Sequence, residues 1–281
     1  MKYFKFILGI AFLLVFVLVS QAFSTDKVML ARIHLTEKSQ MREIQSSHLD
    51  IAYVKYGQYM DIVTDREEVN YLRSLGYDME IIHEDLVAFY RSRLDKTKDV
   101  GGYYTWEETL ALMDSIHNEY PEITTPRDSV GHTIEGRAIW AMKISDNPEI
   151  DEDEAEVFYN ALIHAREAIT HQQLLYFMLY LTDNYGTEPL VTYLVENREL
   201  WFIPIVNPDG WEYNRQTNPG GGGMWRKNRR NNGDGTYGVD LNRNFGYMWG
   251  YDDYGSSPYT DDETYRGTAS FSEPETQGIR E

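Results

Sequence analysis

The chain has 281 residues, 42% hydrophobic and 25% charged, enough for one large domain or two smaller ones and too apolar for a disordered chain. Its 26 lysines and arginines against 45 aspartates and glutamates leave a net charge of -19, which disfavours nucleic-acid backbones and anionic lipid as general partners. Cysteine is absent, so thiol nucleophiles, zinc thiolate sites, iron-sulfur clusters and disulfides are excluded, and any metal must sit on His, Asp or Glu.

At the N-terminus, Lys2 and Lys5 precede an apolar run from Phe6 to Val19, and Ser20-Gln21-Ala22 supplies small residues behind it. The run is too short for a spanning helix, so Met1 to Ala22 reads as a signal peptide cut after Ala22; an uncleaved anchor is the alternative. The expected location is secreted, extracellular or periplasmic, with membrane contact only through this transient segment. Next, Val28 to Ile33 reads as a strand, Thr36 to Ser46 as a helix, and Ile51 to Val54 and Tyr59 to Val63 as strands bridged by Gly57. Asp65 opens a helix that Gly76 stops, Tyr77 to Ile82 is a strand, and Glu84 to Leu94 is a helix. This β-α-β-β-α-β order predicts a compact α+β module of the split βαβ kind. The charged Asp95 to Asp99 and Gly101-Gly102 form a joint, read either as a linker open to proteolysis or as an ordinary surface loop.

Charge changes at the same joint. Residues 26–98 carry 11 basic and 13 acidic side chains, whereas residues 99–281 carry 13 and 32. The second part opens with the capping box Thr105-Trp106-Glu107-Glu108, followed by Leu110, Met113, Ile116 and Tyr120 on one helical face. Ala138 to Ile144, Val157 to Ile163 and Leu200 to Val206 are apolar runs of strand length, and Thr170 to Tyr185 is helical. Strands alternating with helices predict an α/β fold with a central, mostly buried mixed sheet flanked by helices.

His164 and Glu167 stand three apart beyond the end of the Val157 to Ile163 run, the edge at which open α/β sheets bind ligands. A turn brings such residues to one side, so the pair can offer nitrogen and oxygen to zinc; taken alone it is weak evidence and reads as a surface pair. Asn207-Pro208-Asp209-Gly210 reads as a turn at the same edge. Gly220 to Gly223 is a flexible stretch with no phosphate-loop continuation, and Trp225 to Arg230 is a cationic island, suited to a small anion or simply solvated. In the segment Gly238 to Phe245, Arg243 can grip a carboxylate in a bidentate fashion, Asn242 can add a hydrogen bond, and Asp240 can hold a metal-bound imidazole from behind; a structural ion pair is the alternative.

Taken in order, His164-Ala165-Arg166-Glu167, Asn207-Pro208-Asp209-Gly210, Trp225 to Arg229, Asp240 to Asn244 and Tyr265-Arg266-Gly267 with Phe271 to Glu275 resemble the zinc metallocarboxypeptidases of the carboxypeptidase A type, in particular bacterial secreted members. The resemblance runs from Gly102 to the end. It implies His164 and Glu167 as zinc ligands, Arg226 as the oxyanion-stabilising residue, Arg166, Asn242 and Arg243 as substrate contacts, and Asp240 as the partner of His164. It also implies a monomeric enzyme acting on peptides or proteins with a free C-terminal carboxylate. The expected organisation is then signal peptide 1–22, pro-region 23–98 and an incomplete carboxypeptidase-like catalytic part 99–281.

That family's second histidine ligand, general base and closing tyrosine all follow the Phe271 to Glu273 segment, and here no histidine follows His171. The chain therefore reads as a C-terminally truncated, inactive form, with His171 packing rather than ligating. Two alternatives stay open: a non-catalytic module that binds peptide carboxylates, and a zinc hydrolase acting on cell-wall peptides. The acidic stretches Asp151 to Glu156, Asp252-Asp253 and Asp261 to Glu263 are candidates for Ca2+, with a solvated surface as the alternative.

Overall fold

The structure is a computed structural model that describes residues 27–35, 40, 44, 49–94 and 98–281. The signal-peptide segment Met1 to Ala22, the Thr36 to Ser46 helix except Gln40 and Ile44, and Asp95 to Thr97 of the joint lie outside the described residues.

The N-terminal module contains β1 (Met29–His34), β2 (Asp50–Lys55), β3 (Tyr59–Thr64), α1 (Arg66–Ser74), β4 (Asp78–His83) and α2 (Leu86–Arg93). Its strands lie in the order β2-β3-β1-β4, each neighbouring pair antiparallel, as a split βαβ requires. Alternation explains the sheet: Met29, Ala31 and Ile33 of β1 are buried, and Ala31 and Ile33 join Met60, Ile62, Val69, Leu72 and Met79 in one core, while Arg32 turns outward to Asp61. Asp65 caps α1 by accepting a hydrogen bond from the Glu68 amide.

The second part holds α3 (Trp106–Glu119), β5 (Asp128–His132), β6 (Ala138–Ile144), β7 (Ala155–Asn160), α4 (Ile169–Asn184), α5 (Pro189–Val195), β8 (Arg198–Ile203), α6 (Pro208–Thr217) and α7 (Pro274–Arg280). Its sheet runs β5-β6-β8-β7 and is mixed, antiparallel across β5/β6 and β6/β8 and parallel across β7/β8. Met113 and Ile116 of α3, Met142 and Ile144 of β6, Leu175, Met178 and Leu181 of α4, and Phe202 of β8 form the main core. The α3 capping box is complete, with reciprocal bonds between Thr105 and Glu108. Thr105→Ala should lower the urea-unfolding stability of this part by about 1 kcal/mol, because the Glu108 amide loses its acceptor.

Several elements depart from expectation. The apolar run from Val157 to Ile163 divides: β7 ends at Asn160, and Ala161 to His164 leave the strand with Leu162 at φ +48°. As the outer strand among the described residues, β7 leaves Phe158 43% exposed while Tyr159 stacks on Phe202. Strand β5 escaped notice because Asp128-Ser129-Val130-Gly131-His132 has one large apolar residue. It forms through a register shift and is covered by α7, where a Cβ on Gly278 would meet the Val130 carbonyl oxygen at 2.7 Å. Asn207 to Gly210 is not a free-standing turn. Asn207 caps α6, its Oδ1 accepting from the Gly210 amide, and Pro208 occupies the first helical turn.

Candidate functional site

The segment that leaves β7 is held by β8: Ala161 N donates to Ile203 O, Val206 N to Ala161 O and Asn207 N to Leu162 O. This pins His164 just beyond the sheet edge. Below it, Asn207 Nδ2 donates to Lys227 O at 3.0 Å, and Asn214 Nδ2 ties Ala165 O to Trp225 O at 3.0 and 2.9 Å. Two buried asparagines thus bind the His164 loop to the Trp225 to Lys227 segment, and Ala165 N to Arg226 O closes the link. Gly210 is required here, since a Cβ would sit 2.7 Å from Ala165 Cβ.

Four of the residues singled out from sequence meet at this point. His164 Nδ1 lies 3.0 Å from Glu167 Oε1, and its Nε2 lies 3.0 Å from Asp240 Oδ1. Arg226 Nη2 donates to Asp240 Oδ2 at 2.8 Å, and its Nη1 lies 3.8 Å from Glu167 Oε1. Asp240 is fully buried, His164 and Arg226 nearly so, and Glu167 is partly exposed. Burial alone would raise the Asp240 pKa, but the His164 hydrogen bond and the Arg226 charge overcome it and hold the carboxyl well below its ordinary range. His164 is raised, its hydrogen bonds to Asp240 and Glu167 outweighing desolvation, and Glu167 is lowered by His164 and the nearby arginines against its own burial.

Arg166 lines the cavity beside Glu167 and Arg226 but is already paired. It pairs with Asp50 at the start of β2 in the N-terminal module, with both side chains nearly buried, and Glu263 lies 3.9 Å from its other nitrogen. Asn242 is exposed and Arg243 half-buried at the short turn Leu241–Arg243, which Asp240 caps by accepting from the Asn242 amide. Arg243 donates to Gly255 O and Asn242 O. His171 lies apart, fully buried against Trp211, its Nε2 3.0 Å from Tyr104 O, and burial pushes its pKa down to about 4.

A cavity of about 390 Å³ lies between the two parts of the chain, with Asp50, Arg166, Glu167 and Arg226 at its polar end and Ile51, Leu86, Leu94, Ile169 and Trp211 along its apolar walls. Its floor includes Gly221 to Gly223. Far from being loosely held, Gly221 (φ +85°) fits against the end of α2, where a Cβ would lie 2.5 Å from Leu94 Cδ1 and 3.0 Å from the Val100 carbonyl.

The cationic island is largely engaged with protein partners, although the Nε atoms of Arg226 and Arg229 have none. Lys227 is buried and donates to Thr260 O and Asp262 O, Arg229 stacks 3.8 Å from the Tyr213 ring centroid, and Arg230 binds Glu273. Nor do the acidic stretches gather as calcium loops: Glu152 binds Asn147 and Asp253 pairs with Arg266. Among the described residues no group of three or more His, Asp or Glu is arranged to hold a metal ion.

His164 and Glu167 suit zinc in kind. Their donor atoms converge within hydrogen-bonding distance, and Asp240 at Nε2 would hold the ring in the tautomer that presents Nδ1 to zinc once the proton shared with Glu167 is displaced. They would supply two protein ligands, and among the described residues no third His, Asp or Glu joins them in a metal-holding group. Asp50 was not anticipated from the sequence, since a lone aspartate at the start of a strand carries no motif. Asn207 was seen as a turn residue; an asparagine before proline and aspartate signals a helix cap equally well.

The zinc carboxypeptidase family model matches residues 109–281, and the chain belongs to that family. A zinc carboxypeptidase of Saccharothrix mutabilis subsp. capreolus is 42% identical over 149 residues, covering 53% of this chain and 33% of that protein. Mast cell carboxypeptidase A of Homo sapiens is 29% identical over 235 residues, covering 80% of this chain and 51% of its own length. The carboxypeptidase A structure from Helicoverpa armigera superposes with a TM-score of 0.75 at 26% identity, covering 91% of this chain and 66% of that one. The chain spans about one third and about half of the length of these two curated relatives. Among the described residues no helix is long and apolar enough to cross a membrane.

Proposed function

We propose that the protein is the precursor of a secreted zinc-dependent carboxypeptidase that removes C-terminal residues from peptides and proteins. The observation that carries this reading is the convergence of His164, Glu167, Asp240 and Arg226 on one point beside the sheet edge. His164 and Glu167 would hold the zinc ion, which when bound supplies a Lewis acid for the peptide carbonyl and a source of activated water. Asp240 keeps the His164 ring oriented and anchors Arg226 as well. Arg226, buried and with its Nε unpartnered, is placed to meet negative charge developing on the carbonyl oxygen. Arg243, half-buried, and Asn242, exposed, would hold the substrate's terminal carboxylate and so confine cleavage to the last residue.

The N-terminal module then acts as a pro-region. Asp50 occupies Arg166, and α2 seats Leu94 against Gly221, so the module covers the cavity on the approach to Arg226. Cleavage in the joint at 95–98 would release it.

Hydrolysis of a blocked dipeptide and of its C-terminal amide, with stoichiometric zinc or with chelator, before and after limited proteolysis of the joint, tests the reading. Zinc-dependent cleavage of the acid only, rising after proteolysis, is the expected result. The exposed Asn242 beside the half-buried Arg243 also serves a second reading, a module that binds peptide carboxylates without hydrolysis. Saturable binding of the dipeptide without turnover, with or without zinc, would select it and reject the first.

A further inference from the structure

Beneath the proposed site lies a buried polar network that the mechanism does not use. Glu273 and Glu275, at the cap and start of α7, and Asp209 of α6 are all completely buried. Two of the three carboxyls own a guanidinium. Arg230 Nε reaches both oxygens of Glu273 at 2.8 and 2.7 Å, and Arg137 Nη1 lies 2.8 Å from Asp209, which also accepts from Thr133 Oγ1 and the Glu135 amide. Glu275 has none. Its Oε2 takes a long 3.3 Å bond from Asn228 Nδ2, an amide that gives its better bond, 2.7 Å, to Glu273, and its Oε1 has no partner. The charges facing it are Glu273 and Asp209, both negative, and β5, packed across α7, carries its titratable Asp128 and His132 only at exposed positions.

Three buried carboxyls with two arginines cannot all ionise at modest cost. We propose that Glu275 is folded as the neutral carboxylic acid and serves as a proton-dependent latch, holding α7 beneath the segment that carries Arg226 and Asp240 and loosening it when the proton leaves. The coupling runs through Asn228, whose Oδ1 accepts from the Val239 amide at 2.8 Å, one residue before Asp240. Burial is the main cause that pushes the Glu275 carboxyl up, to about 8, and the charge of Glu273 adds to it.

The sign follows from proton counting. A carboxyl that ionises near 4.5 when unfolded and near 8 when folded gives its full stability below about pH 4.5. It then costs the folding equilibrium up to about tenfold per pH unit until about pH 8, and nothing more above that. The test is urea unfolding of the full chain and of Glu275→Gln across pH 5 to 9. The glutamine variant is expected to gain on wild type by up to about tenfold per pH unit through that window and to run parallel above it. A constant offset at every pH, or no difference, overturns the proposal. Infrared spectra of the wild type give a reading that does not depend on the variant folding. A buried carboxylic acid band at pH 6.5 that vanishes by pH 9.5 supports the latch, and the absence of any such band at pH 6.5 refutes it.

Discussion

Asp50→Ala is expected to undock the N-terminal module, at a cost of about 3–5 kcal/mol to the interface. The reason is asymmetric. Asp50 and Arg166 are both nearly buried, so their pairing offsets the desolvation of two charges, and removing the carboxylate strands a guanidinium with Glu263 at 3.9 Å as its remaining acidic neighbour. Loss of the ion pair should also open the cavity beside Arg226, because Asp50 stands at its polar end. Proteolysis near residues 95–98 and hydrogen exchange of β2 both report the undocking. The double variant Asp50→Ala/Arg166→Met, which removes both charges, should recover most of the loss. If Asp50→Ala changes protection by less than about 1 kcal/mol, the contact is an ordinary surface pair and the module is held by α2 alone.

How much of this was legible beforehand depended on the range of the interactions involved. The N-terminal module could be read because its signals are local: alternation in β1, the glycine between β2 and β3, and the Asp65 cap each act within a few residues. The His164 and Glu167 pair and the Asp240 to Arg243 segment were legible as short motifs, and the structure brings His164 within reach of Asp240 although 76 residues separate them. Strand β5 was illegible for the opposite reason. Its five residues carry no alternation, and it exists because β6 offers an edge and α7 covers its face, neither of which a local window contains.

The polar interior was the least legible part. Arg226, Lys227 and Arg230 sit together in sequence and look like a solvated patch, yet each finds a different buried partner: Asp240, the carbonyls of the 260–262 loop, and Glu273. A run of like charges means a solvated face only when nothing distant neutralises it. Here carboxylates and carbonyls 14 to 43 residues away in sequence do so. The same long-range pairing attaches Arg166 to a module whose sequence gives no hint of that contact.

The last expectation separates the two arginines assigned to different moments of the reaction, and it applies to an active form of the protein. If Arg226 meets the developing oxyanion, Arg226→Ala should lower kcat by about 10²- to 10³-fold with little change in KM, since the interaction strengthens only in the transition state. Arg226 also shares Asp240 with His164, so a structural loss could imitate a catalytic one. Arg226→Lys, which keeps a charge near Asp240 but not the planar fork, distinguishes them: zinc affinity should stay near wild type while kcat remains depressed. Arg243 should behave differently. Half-buried and hydrogen-bonded to backbone carbonyls, it keeps a charge with which to grip a carboxylate in ground and transition states alike. Arg243→Ala should therefore raise KM, and should penalise free-acid substrates far more than C-terminally amidated ones. Steady-state kinetics of the variants on the acid and amide forms of one peptide decide the assignment. Equal increases in KM with unchanged kcat would make Arg226 a second carboxylate contact and remove it from the transition state.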